Sequence, residues 1–396
     1  MKRLHSLIAP VALALILAGC ATAAEEPAQE SESGHGSVAG AEQVAEAQPL
    51  LISIDEAGSV GLHDLLTDET TQLGEIAAPD AVASDGRYAF VTTADGLTIV
   101  DGGRWSWDHG DHFHYYRADP ALLGAVPGVG PAAVTGAPLA TAGGTGVFFS
   151  GSGDAVLLDN EALGDGEIVE SFRIATGAES GVVAPVDTGA IVATTDEAAV
   201  YDAAGERIGE IECEAPSGAI TTRVGTVVGC ADGAILATGR IDALDIEQIP
   251  YPDGAAERAK EFDGRKNRPT VAALSGESGF WLLDTRARAW THASVDASLV
   301  DVVAADDADG HVVALDADGR VRVYDSEGTE LSASEPLVAE SLNSGGIVDL
   351  VVDTQRAYLS DPAGGVVHEI DYADGARVAR ELTTPTTPFL ATELGR

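Results

Sequence analysis

Arg87-Tyr88-Ala89-Phe90-Val91-Thr92-Thr93-Ala94-Asp95-Gly96-Leu97-Thr98-Ile99-Val100-Asp101 sets two short apolar runs on either side of an Asp-Gly turn. The runs are rich in β-branched and aromatic residues, and Asp-Gly is a dipeptide that tight hairpin turns favour, so the stretch reads as an antiparallel hairpin. The outline returns in Gly146-Val147-Phe148-Phe149-Ser150-Gly151-Ser152-Gly153-Asp154-Ala155-Val156-Leu157-Leu158-Asp159. Further copies run from Gly189 to Asp202, Gly225 to Thr238, Gly310 to Asp325 and Arg356 to Asp371, with degenerate ones at Leu50 to Asp64 and Val271 to Asp284. These eight copies recur with a mean spacing of about 43 residues. A period of about 40 to 45 residues with four strands per unit is the mark of a β-propeller blade.

The fold expected is therefore all-β: a propeller of eight blades, with seven as the alternative. A β-sandwich would not keep returning to one period over the whole region. Helical periodicity is nearly absent, apart from a possible short helix around Ala255 to Glu261. The first copy begins directly at Leu50, without the apolar strand that precedes the others, such as Ile347 to Val352 before the last. Pro388-Phe389-Leu390-Ala391-Thr392 is suited to fill that gap, so that strands from both ends close the ring and hide its edges. The turns inside the hairpins (Asp95-Gly96, Asp154, Asp196-Glu197, Asp232-Gly233, Asp318-Gly319 and Asp361) carry carboxylates, chiefly because tight turns use Asp and Gly.

The longest interval between copies holds Trp105-Ser106-Trp107-Asp108-His109-Gly110-Asp111-His112-Phe113-His114-Tyr115-Tyr116, with three of the nine histidines of the chain. Alternate residues of a strand share a face, so His112 and His114 project together and suit one metal ion. His109, Asp108 and Asp111 add nitrogen and oxygen donors from a turn loosened by Gly110. Such a set suits Zn²⁺ and, by affinity, Cu²⁺ or Ni²⁺ as well. Against this stands a plainer reading, in which the aromatics pack and the histidines are only solvated. If Arg104 to Trp107 is the outermost strand of its blade, the histidines begin the connection to the next blade, on the face that bears the Asp turns. Elsewhere His63 and His368 fall inside strands, His311 opens one and His292 lies near a strand end, best placed of these to join the loop.

Met1-Lys2-Arg3 and the apolar run Leu7 to Leu17 form a secretion signal too short to span a bilayer. Leu17-Ala18-Gly19-Cys20 resembles the lipobox of bacterial lipoproteins, which implies cleavage after residue 19 and lipid on Cys20. Residues 20–48, rich in Ala, Glu, Ser and Gly, read as a flexible acidic stalk carrying one histidine, His35. Residues 49–396 form the propeller, and the chain is expected to be monomeric, extracytoplasmic and membrane-bound through its lipid alone. A formal net charge of −42 argues against nucleic acid as a partner. Cys213 and Cys230 remain as an even pair, which in an oxidising compartment reads as a disulfide closing a loop worth about 3 kcal/mol; two buried thiols are the other possibility. One basic cluster, Arg258, Lys260, Arg265, Lys266 and Arg268, reads as a solvated loop paired with Glu257, Glu261 and Asp263, or as a docking or channel-facing patch. No nucleophile elbow, P-loop or HExxH motif occurs, so an enzyme is not expected.

An acidic secreted propeller with Asp108-His109-Gly110-Asp111-His112-Phe113-His114 resembles the AztD-type zinc metallochaperones. The segment from Cys213 to Gly233, ending in Val227-Val228-Gly229-Cys230-Ala231-Asp232-Gly233, is similar to that family's cysteine-bracketed segment, although Ala215-Pro216-Ser217-Gly218 lacks the histidine associated with it. The resemblance implies Zn²⁺ as cargo, His109, His112 and His114 with Asp108 or Asp111 as ligands, and delivery to the solute-binding protein of an ABC importer. A metal-independent interaction scaffold at the cell surface is the other function the sequence allows.

Overall fold

The computed structural model describes Val38 and residues 40–108, 112–255 and 257–396. Among the described residues are eight four-stranded antiparallel sheets and one additional three-stranded sheet. Each of the eight repeat copies supplies the second and third strands of one sheet. In the copy from Arg87 to Asp101, Tyr88–Thr93 pairs with Gly96–Asp101 through the Asp-Gly turn, and every residue of both strands is buried.

Side chains alternate across each strand, so a central hairpin feeds two cores at once. Tyr88 and Phe90 pack with Val147, Phe149 and Leu158 of the third sheet, whereas Ala89 and Val91 pack with Ile52 and Val60 of the first. The same interleaving makes one apolar cluster at each of the eight junctions between neighbouring sheets. It includes the junction of the eighth with the first, where Tyr358 and Val367 meet Leu51 and Ala391. The sheets thus form a closed ring of eight blades. Closure uses both ends of the chain: Leu390–Leu394 pairs with Leu50–Ile54, with Leu50 opposite Leu394. That strand begins two residues later than Pro388, where the sequence placed it.

Short first strands line the axis around a cavity of about 330 Å³, bordered by Val82, Val134, Ile220, Asp301, Val351 and Thr392. Lys266, from the turn between the first two strands of the sixth blade, spans this end of the cavity and donates to the backbone carbonyl of Asp85 in the second. Burial pulls its ammonium below the usual lysine range. Its neighbours in the basic cluster also go to carbonyls, Arg258 to Ala215 and Arg268 to Asp306. The short helix expected around Ala255 to Glu261 does not form. Lys260–Asp263 is instead the inner strand of the sixth blade, and the Ala259 N–H is taken by the Tyr251 hydroxyl. Cys213 and Cys230 are bonded with their Cα atoms 5.2 Å apart, which joins the end of the fourth blade to the second strand of the fifth.

No helix among the described residues is long and apolar enough to cross a membrane. The signal segment 1–19, Cys20, His35 and most of the stalk lie outside the described residues. The last part of that stretch is not stalk-like: Glu42–Val44 is a strand, because Phe113–Arg117 of the three-stranded sheet offers its backbone a ladder of partners.

Candidate metal centre

The three-stranded sheet holding Glu42–Val44 is built on an insertion between the third and fourth strands of the second blade. After Asp101 the chain turns through Gly102-Gly103, runs out along Arg104–Asp108, returns along Phe113–Arg117 and only then enters Ala121–Pro127. Gly103 has a φ of 64°, and a Cβ there would sit 2.4 Å from the carbonyl oxygen of Ala118, so the turn requires glycine. Arg104–Asp108 is therefore not the outermost strand of the blade. Ala121–Pro127 takes that place, with Ala121 opposite Asp101 and Pro127 opposite Gly96.

This register decides the face. The insertion leaves from the Asp101 end of its strand, and the Asp95-Gly96 turn lies at the other end. The Asp-bearing hairpin turns are thus on the opposite face of the propeller from the histidines, and the shared face anticipated from sequence is overturned. His292 falls on that opposite face too. It lies near the Gly279 end of its hairpin, with Nε2 2.9 Å from the Ser275 hydroxyl and its ring against Trp281. His63 and His311 are paired with Asp68 and Asp307, and His368 is buried inside the eighth blade near Asp361.

The base of the hairpin is pinned from below. The Arg87 guanidinium donates Nε to Asp101 Oδ1 at 3.0 Å and a terminal nitrogen to Oδ2 at 2.7 Å. It also lies 3.9 Å over the Trp105 ring. Burial lowers the basicity of this guanidinium, but the bonded, charged Asp101 more than offsets it and holds it raised. Trp105 stacks on Tyr116 with centroids 5.1 Å apart. Cross-strand pairs share a face, so Trp105, Trp107, His114 and Tyr116 form the side turned toward the propeller. Burial raises the Tyr116 phenol.

Near the tip, His112 Nε2 and His114 Nε2 stand 3.0 Å apart. Two imidazole nitrogens bound to one tetrahedral Zn²⁺ at about 2.05 Å lie about 3.3 Å from each other, so a shift of a few tenths of an ångström accommodates the ion. His114 is buried and His112 exposed, which leaves the pair anchored on one side and open on the other. Asp108 turns elsewhere: its Oδ2 lies 3.5 Å from Arg223, on the first turn of the fifth blade. Blades two and five face each other obliquely across the ring, so this contact carries the hairpin over the end of the channel. His109 and Asp111 lie outside the described residues. Among the described residues, no three His, Cys, Asp or Glu side chains converge as metal ligands.

The sequence reading missed Gln43. Its side-chain amide lies 2.8 Å from His114 Nδ1, reaching in from the N-terminal strand. The amide nitrogen Nε2 is the atom placed there and donates to Nδ1; a half-turn of the amide puts Oε1 in its place, where it accepts an Nδ1–H and leaves the His114 Nε2 lone pair for a metal, the arrangement that outer partners of ligating histidines commonly enforce. Nothing in the Ala- and Glu-rich surroundings of Gln43 marks it. Arg223 was equally hidden, since its role depends on two turns far apart in sequence.

No family model and no curated protein sequence matches the chain. Among solved structures, AztD of Citrobacter koseri superposes with a TM-score of 0.74 at 19% identity, over 89% of this chain and 99% of that one. Its apo form gives 0.73 at 18% identity, with the same coverage. The dihydro-heme d1 dehydrogenase NirN, in complex with DHE, gives 0.52 at 13% identity, over 89% of this chain and 76% of that one. The chain has the fold of AztD.

Proposed function

We propose that this chain is a zinc-binding protein of the extracytoplasmic space, held at the membrane by lipid on Cys20, which takes up Zn²⁺ and passes it to the solute-binding protein of an ABC importer. The observation that carries the reading is the approach of His112 and His114 Nε2 to 3.0 Å on a hairpin that overhangs the propeller. The ligands are His112 and His114 with His109, completed by Asp111 or by Asp108 released from Arg223. The fold shared with AztD supports the same reading, as does the motif Asp108 to His114 itself. Handover requires a site that a partner can reach, and the exposed side of His112 supplies one. An acidic surface concentrates cations around it.

Metal analysis and calorimetry of the purified protein test this. One Zn²⁺ per chain is expected, lost in the variant carrying His112→Ala and His114→Ala. Absence of binding at micromolar zinc would overturn the proposal.

A further inference from the structure

The strand Glu42–Val44 is an outlier in this molecule. It is three residues long, belongs to no blade, and pairs along one edge only, Glu42 opposite Arg117, Gln43 opposite Tyr116 and Val44 opposite Tyr115. Glu42 and Gln43 are exposed, and the ion pair that secures the strand, Glu42 to Arg117 at 2.6 Å, is solvated on both sides. Such a pair weakens in salt, and a short exposed edge strand lies at the low end of local opening free energies. Beyond Val44 the chain is soon fixed, because Leu50 enters the first blade. The segment is therefore hinged at its C-terminal side and continuous with the N-terminal tether at the other.

Among the described residues, its one inward-directed polar contact is made to the histidine pair. Gln43 Nε2 lies 2.8 Å from His114 Nδ1, a half-turn of the amide brings the acceptor Oε1 there instead, and His114 Nε2 meets His112. The ring has two nitrogens, and a partner that fixes one fixes the direction and protonation of the other. Trp107 and Tyr116 flank the ring, at 6.0 and 6.3 Å between ring centroids.

We propose that Glu42–Val44 is a detachable strap for the histidine site, with Gln43 as its positioning residue: docked, it turns His114 Nε2 toward His112, and undocked, it lets the ring go and lowers the affinity for the ion. The inference rests on the zinc reading given above and adds to it a structural handle through which the tether can loosen the site.

Two measurements on the purified full-length protein test it. In competition with a zinc chelator, Gln43→Ala should bind Zn²⁺ about 10- to 100-fold more weakly than the parent, the usual effect of losing an outer partner of a ligating histidine. Gln43→Glu, whose carboxylate also accepts an Nδ1–H, should restore binding. The thermal midpoint should not move, since Gln43 is exposed. Equal affinity for the parent and Gln43→Ala, or no recovery with Gln43→Glu, overturns the strap. Should the parent bind no zinc, the functional reading fails, and the strap is judged separately in metal-free protein by ¹⁵N shifts of the His114 ring. A change of tautomer balance in Gln43→Ala supports it, and unchanged shifts refute it.

Discussion

Replacing Asp101 by alanine should loosen the histidine hairpin at its root. Asp101 and Arg87 form a two-point ion pair whose side chains are only 8% and 4% exposed. With charge centres about 4 Å apart in an effective dielectric near 20, the attraction is about 4 kcal/mol. Asp101→Ala removes that attraction and leaves the Arg87 guanidinium buried without its counter-charge, so a destabilisation of about 3–5 kcal/mol is expected. The loss of the Gly103 N–H bond to Asp101 Oδ1, 2.8 Å long, adds to it at the turn. Replacing both partners, as in Arg87→Met with Asp101→Leu, should recover much of the deficit, because no charge is then stranded. Thermal and urea unfolding followed by circular dichroism measures the total. Hydrogen exchange locates it, and protection along Arg104–Asp108 and Phe113–Arg117 should fall more than in the eighth blade. A destabilisation below about 1 kcal/mol, or equal loss of protection in all blades, would refute the view that this pair holds the hairpin.

Gly146→Ala should be strongly destabilising, by about 3 kcal/mol or more, since its Cβ would stand 1.9 Å from the Val183 carbonyl oxygen where the third and fourth blades meet; chemical unfolding measures this. Stability should also decline as pH rises from about 4 to about 7. Burial pushes the Asp349 carboxyl up to about 7 from 3.8, so the folded chain keeps a proton that the unfolded chain has released. Asp349→Asn should flatten the pH profile of the unfolding midpoint in that window. Part of the slope should remain, because burial also raises Asp263 and Asp301 beside the same cavity.

Much of the scaffold was legible because it is repetitive. A hairpin such as Tyr88 to Asp101 is specified locally, by period-two alternation and an Asp-Gly turn. Eight such hairpins at one spacing leave few ways to bury two-sided apolar strands except between neighbours in a ring. Closure was legible too, since an apolar segment at Leu390 had no other partner than the incomplete first unit. The helix expected near Ala255 failed because a few helix-tolerant residues compete poorly with the ladder offered to Lys260–Asp263 by the strand beside it.

For the candidate site, the sequence by itself offered the two-residue spacing of His112 and His114, and the structure brings their Nε2 atoms to 3.0 Å. It could not determine what surrounds them. Which face of the propeller carries the hairpin depends on whether Arg104–Asp108 or Ala121–Pro127 pairs with Gly96–Asp101, a competition between two strands of similar local propensity. The winner is settled by Gly103, by Arg87 beneath Trp105 and by contacts with other blades. Gln43 and Arg223 reach the hairpin from 71 residues before His114 and from a blade across the channel. Such partners leave no trace in local pattern, because a side chain's reach is fixed only when distant segments have packed.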